Sequence, residues 1–223
     1  MGGYQIPARE TRVEIQVSNS RFIATIAPVF SVEEAREFVD RLKAEFSDAS
    51  HNVPAFLVGH GNAVTAHCSD DGEPSGTAGR PALAVLRGSD LGDVAVVVTR
   101  YFGGTKLGTG GLVRAYSDAV RTALEAVPRA ERIPTHVATL ALPYSHLERV
   151  RLLVDAHQGS ILDETFAANI TMTTRFTVER FDAFQAGLQE LSHGTLQAEI
   201  VETSETIFPI APSPEETTIR SDS

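Results

Sequence analysis

Five glycines within nine residues, Gly103, Gly104, Gly108, Gly110 and Gly111, follow an unbroken apolar run, Val94 to Val98, and precede a helix-like pattern, LVRAYSDAV. Glycine inside a helix or strand costs about 0.5–1 kcal/mol against alanine, so this density marks a turn where the backbone takes positive φ or is approached closely by another group. A second turn of similar kind, SDDGEPSGTAGRP from Ser69 to Pro81, lies one short helix and one strand upstream. Any fold for this chain must bring two such turns to the ends of the elements between them.

The two turns differ in charge. Asp70, Asp71 and Glu73 put three carboxylates into the first, with the hydroxyls of Ser75 and Thr77 beside them, whereas Arg100, Lys106 and Arg114 surround the second. A glycine-rich turn that feeds a helix start exposes unpaired N–H groups, and with cations nearby it forms a cradle suited to an anion or phosphate. The alternative is that the glycines let two backbones pack closely. The acidic turn either holds a cation, caps its own turns and the next helix, or pairs with Arg80 and Arg100. Its spacing is not that of an EF-hand, so no metal is expected.

Periodicity supplies the surroundings. Val13, Ile15 and Val17 alternate, as do Phe22, Ala24 and Ile26, which predicts a hairpin turning at Ser18 to Ser20. Ser31 and Glu34 spell a capping box for a helix running to about Phe46. Ala55–Val58 and Ala63–Ala66 read as a second hairpin around residues 59–62, and a short helix is expected from Pro81 to Gly88. Residues 92–102 read as a central strand covered on both faces, delivering Arg100 to its carboxyl end. Val113, Tyr116, Val120, Leu124 and Val127 then line one face of a helix entered from the glycine turn.

Beyond Pro128–Pro134, read as a linker, the order becomes βαββαβ: a strand at Val137–Leu142, a helix with a capping box at Ser145 and Glu148, strands at 160–166 and 169–178, a helix with Asp182 as N-cap, and a last strand at 196–208. This is the order of a ferredoxin-like split unit. The predicted division is 1–130, a linker at 131–134, a second domain at 135–208, and a disordered tail at 209–223, where prolines alternate with Ser, Thr and Glu.

Composition narrows the function classes. With 29 acidic against 19 basic residues the net charge is −10, so indiscriminate binding to phosphate backbones is excluded and any nucleic-acid contact needs a local basic patch near Arg100–Arg121. Cys68 has no disulfide partner, which fits a reducing compartment. No apolar stretch approaches the roughly 18 residues of a membrane span, and a cytoplasmic protein with no membrane contact is expected. The second turn fails the phosphate-binding P-loop pattern, since Thr109 stands where lysine is required after Gly108, and it fails the dinucleotide pattern at Val113. No G-x-S-x-G elbow and no zinc-ligand spacing is present, so no catalytic residue, metal or cofactor is assigned.

The strings SDDGEPSGTAGRP and VVVTRYFGGTKLGTGGLVRAYSDAV, with looser similarity through SRFIATIAPVFSVEEAREF and Ala49–Asn52, resemble the Impact family. Val53 and Pro54 stand where the family pattern has Cys-Tyr, and Thr105 where it has Ile. The resemblance implies an α+β protein of two domains, an amino-terminal ribosomal protein S5 domain 2-like domain and a carboxyl-terminal ferredoxin-like domain. It implies regulation of translation through a ribosome, RNA or translation-associated partner, without an established catalytic reaction. The candidate contact residues are Arg100, Gly103, Gly104, Lys106, Gly108, Gly110, Gly111 and Arg114, supported by Asp70, Asp71, Glu73, Ser75 and Thr77. The alternative is an enzyme or sensor that binds a phosphorylated small molecule at the same turn.

Overall fold

A computed structural model describes residues 3–61 and 63–210. Two compact units emerge, one from Tyr4 to Glu131 that also takes in Pro209 and Ile210, the other from Arg132 to Phe208. The mixed α+β, two-domain architecture expected from the sequence is present. The expected disordered tail lies, from residue 211 onward, outside the described residues.

The amino-terminal unit is built on a five-stranded antiparallel sheet. Its strands are β2 (Thr11–Val17), β3 (Ser20–Pro28), β4 (His51–Val58), β5 (Thr65–Cys68) and β6 (Val94–Tyr101), in the order β2-β3-β6-β4-β5. A short strand, β1 (Tyr4–Pro7), precedes them, and Ala8 N–H donates to Pro128 O. The first hairpin turns where predicted, with Ser18 and Asn19 at φ 45° and 67°. Pairs of left-handed residues suit the twist of a tight hairpin, and asparagine tolerates that region.

Alternation along β6 explains why both faces of the sheet are covered. Val94, Val96 and Val98 point to one side, where they meet α2 (Gly79–Arg87) and α3 (Gly108–Ala126) together with Phe22, Ala24, Ile26, Val53 and Ala55. Ala95 and Val97 point to the other, against Ala35, Phe38 and Leu42 of α1 (Val32–Glu45). The unit is therefore a sheet between a two-helix layer and a one-helix layer. The α1 cap forms as the sequence predicts: Ser31 Oγ accepts from Glu34 N–H at 3.0 Å, while Glu34 reaches back to Phe30 N–H at 2.8 Å.

Some boundaries differ. The second hairpin pairs Ala55 with Cys68 and Val58 with Thr65, so its connection is longer than the expected four-residue turn. Helix α2 begins two residues before Pro81, and α3 begins at Gly108 rather than after the glycines, so Gly108, Gly110 and Gly111 are its first turn.

The second unit contains β7 (Arg129–Leu142, its first residues in the other unit), α4 (Leu147–Ala156), β8 (Ser160–Phe166), β9 (Ile170–Thr177), α5 (Val178–Leu191) and β10 (Glu199–Pro209). The order across the sheet, β10-β7-β9-β8, with α4 and α5 packing Val150, Val154, Phe181, Phe184 and Leu188 onto Leu140, Met172 and Phe176, is the ferredoxin-like arrangement. Residues 131–134, where a linker is expected, lie within β7. Neither predicted cap in this unit forms. Ser145 falls in a 3-10 turn before α4, and α5 starts from Thr177, five residues ahead of Asp182, because Phe181 must face the core.

Candidate functional site

Arg100 continues the row of Val94, Val96 and Val98, so its side chain follows that row toward α2 and α3 instead of toward solvent. It is only 5 % exposed. A guanidinium so placed must find an acceptor inside the protein, and Glu73 of the acidic turn supplies it: Arg100 Nη1 donates to Glu73 Oε1 at 2.6 Å. Tyr116 of α3 donates to the same oxygen at 2.8 Å, and His51 Nε2 stands 3.8 Å from Glu73 Oε2. Burial first, and then the hydrogen bond to Glu73, push the Tyr116 hydroxyl far above its ordinary pKa, so it stays protonated and remains a donor.

The other two carboxylates are equally committed. Asp70 accepts from the backbone N–H groups of Gly76 at 2.7 Å, Ala78 at 3.1 Å and Gly79 at 2.8 Å, which closes the turn and satisfies the start of α2. Burial pushes its pKa up, but the three amides together outweigh this and hold it below the usual carboxylate value. Asp71 takes Lys43 Nζ at 2.6 Å and Asn52 N–H at 2.7 Å, which likewise outweigh its burial and lower its pKa. Its own backbone carbonyl faces His51 Nδ1 at 2.8 Å. Thr77 Oγ1 donates to Pro74 O at 2.6 Å, while Ser75 is exposed. Among the described residues no group of three or more His, Cys, Asp or Glu is arranged to hold a metal ion.

The acidic turn is thus a hub that fastens α1 through Lys43, β4 through His51 and Asn52, β6 through Arg100 and α3 through Tyr116. Of the alternatives open in the sequence, capping and pairing with Arg100 describe it. Arg80, the other arginine considered, makes no ion pair among the described residues. Composition gave no hint of the roles of Ser20, Lys43 and Tyr116. The signal for Tyr116 was its place on the apolar face of α3, since a buried hydroxyl requires a partner.

The second turn is built differently. Ser20 Oγ accepts from Gly103 N–H at 3.2 Å and lies 3.5 Å from Arg100 Nη2, which ties the start of the turn to the hub. At Gly103 a side chain has no room, because an added Cβ would sit 2.0 Å from Asn19 O. Gly104 and Gly108 carry φ of 85° and 70°, and Gly111 lies 3.0 Å from Leu107 Cβ by the same measure. Gly110 has neither a positive φ nor any neighbour within 4 Å of an added Cβ. The residue before α3, Leu107, provides no side-chain cap, so the first amides of the helix, in an exposed stretch of chain, are not satisfied by a capping side chain. Lys106 and Arg114 are exposed and make no ion pair among the described residues. Asp118, four residues after Arg114 on α3, pairs instead with Arg121 at 2.6 Å. Arg100 therefore belongs to the hub, while Lys106, Gly104, Gly108, Gly110 and Arg114 make up the open part of the turn.

Residues 18–124 match the sequence model of the Impact N-terminal domain, and residues 140–195 match a domain of unknown function, DUF1949. An IMPACT family member of Haemophilus influenzae is 36 % identical over 92 % of this chain and 100 % of its own length. IMPACT family member YigZ of Escherichia coli is 36 % identical over 91 % and 100 % respectively. A solved structure described as that of a hypothetical protein is 36 % identical, covers 91 % of this chain and 98 % of its own, and superposes with a TM-score of 0.62. The chain belongs to the IMPACT family.

Proposed function

We infer that this chain is a non-enzymatic regulator of translation that uses the open part of the glycine turn to hold an anionic partner: RNA, the ribosome or a ribosome-associated protein. Membership of the family supports the translational setting, and the described part of the chain contains no helix long and apolar enough to cross a membrane. The carboxylates that would serve a reaction are bonded inside the hub, which favours binding over chemistry.

The observation that carries the reading is Gly110. Packing accounts for Gly103, and backbone conformation for Gly104 and Gly108, but the fold gives Gly110 no reason to be glycine. A helix start whose first turn carries Thr109 as its one side chain, between Lys106 and Arg114 in sequence, lets a phosphate or carboxylate reach backbone amides directly. It does so on a protein whose net charge of −10 works against long-range attraction of polyanions.

Co-sedimentation with ribosomal particles through a sucrose gradient tests this. The wild type is expected to travel with the particles at moderate salt, and Lys106→Ala and Arg114→Ala to lose most of that association while folding normally. Arg100→Ala is unsuitable, because it would leave Glu73 buried and unpaired. Wild-type protein that stays at the top of the gradient and binds no RNA would sink the reading. Turnover of a phosphorylated metabolite, abolished by the same variants, would replace it with the alternative of a small-molecule site.

A further inference from the structure

Phe102 stands out at the end of β6. It is 48 % exposed, yet it is held: the Arg100 guanidinium lies 5.5 Å from its ring centroid, and the same guanidinium lies 5.4 Å from the ring of Phe22 in the core. Its backbone is clamped as well, with Phe102 N–H donating to Ser50 Oγ at 3.1 Å and Gly103 abutting Asn19. The hub below keeps Arg100 in place through Glu73. The result is an aromatic ring fixed from beneath and open above, the arrangement that loses little freedom when something flat settles on it.

Its neighbours decide what settles. From Thr99 to Leu112, Phe102 is the exposed large apolar side chain: Leu107 is half-buried against the core, the other residues from Gly103 to Gly111 are Gly, Thr and Lys, and the next exposed apolar side chain is the smaller Val113 on α3. A protein interface centres on a cluster of apolar anchors, which this segment lacks. A single half-exposed ring, followed in the same turn by an exposed, unpaired lysine and by a helix start that no side chain caps, matches instead the combination of stacking and phosphate contact by which single-stranded nucleic acids are held.

We propose that Phe102 is a stacking platform for a base of single-stranded nucleic acid, whose phosphates meet Lys106 and Arg114. The inference rests on the reading of the turn as an anion contact and names the partner's chemistry. Duplexes are disfavoured because their bases are already stacked on one another.

The probe is a fluorescein-labelled oligonucleotide of about twelve residues, a length within the range of single-strand sites, in RNA and DNA forms, read by fluorescence anisotropy across a salt series. A blunt duplex of the same RNA is the comparison. Wild-type protein should bind the single strands more tightly than the duplex, and the tighter of the RNA and DNA arms identifies the natural strand. Phe102→Ala and Phe102→Leu should each weaken binding roughly 5- to 150-fold, the range for one lost stacking contact, with an unchanged urea midpoint. Phe102→Tyr should retain it. Lys106→Ala should lower the slope of log affinity against log salt by about 0.7, one phosphate's worth for a single strand. Wild-type affinity in Phe102→Leu, or equal affinity for the duplex, overturns the proposal. If Phe102→Leu still travels with ribosomal particles while Lys106→Ala does not, stacking fails but the turn remains the contact; if both variants travel like wild type, both readings fail.

Discussion

The two glycine-rich turns of the amino-terminal unit look alike in sequence and do opposite work. In the acidic turn every carboxylate is bonded within the protein: Asp70 to three amides, Asp71 to Lys43 and Asn52, Glu73 to Arg100 and Tyr116. In the second turn Lys106 and Arg114 are exposed without ion-pair partners among the described residues, and no side chain caps the amides at the start of α3. Functional groups crowded into a loop are therefore not in themselves evidence of a site. What separates a structural hub from a contact surface is whether the charged groups already have partners inside the protein.

The largest effect should come from the hub. Glu73→Ala leaves Arg100 buried and unpaired and Tyr116 without an acceptor, and a loss of about 3–5 kcal/mol is expected in urea denaturation. A small change in midpoint would show that the hub is a bystander.

Next is Gly103→Ala. The added methyl would overlap Asn19 O, so the cost should fall toward the upper end of the roughly 1–3 kcal/mol typical of overpacking.

Asp70→Asn comes third and has a pH signature. The folded pKa of Asp70 is lowered, so its contribution is fully present above the unfolded value of about 3.9 and is lost as pH falls through the folded pKa. Wild-type stability should therefore drop on acidification below about pH 4, and the variant, already weaker at neutral pH, should drop less steeply. Parallel curves for the two proteins would remove Asp70 from the account.

The smallest effect is the most discriminating. Gly110→Ala should stabilise the fold by up to about 1 kcal/mol, since alanine is the better helix former and meets nothing, while weakening association with ribosomal particles. A variant that is more stable and binds as well as wild type would erase the contrast between the turns.

Most of the architecture was legible in the sequence because it rests on local rules. Alternation in Val13–Ile26 fixed the first hairpin, Ser31 and Glu34 fixed the start of α1, and Val94–Val98 announced a strand buried on both faces. The caps assigned to Ser145 and Asp182 failed because a capping spelling is only a local preference, and the placement of Phe181 and Phe184 in the core overrode it. The turns were harder to read. Arg100 looks like a site residue from its position at a strand end; its neutralisation depends on Glu73, 27 residues earlier, and Tyr116, 16 residues later. No local window contains that information. The start of α3 at Gly108 was hidden for the opposite reason, since glycine content argues against a helix that the following LVRAY pattern nevertheless extends backward.

The position of Glu73 also bears on time. Its partners come from β4, β6 and α3, so its bonds can close only after all three have docked, and contacts joined over such sequence distances form late. An interaction missing at the barrier slows escape from the native state without hastening arrival. In a chevron plot Glu73→Gln should raise the unfolding limb and leave the refolding limb nearly where it was, which makes this buried carboxylate a determinant of the molecule's lifetime.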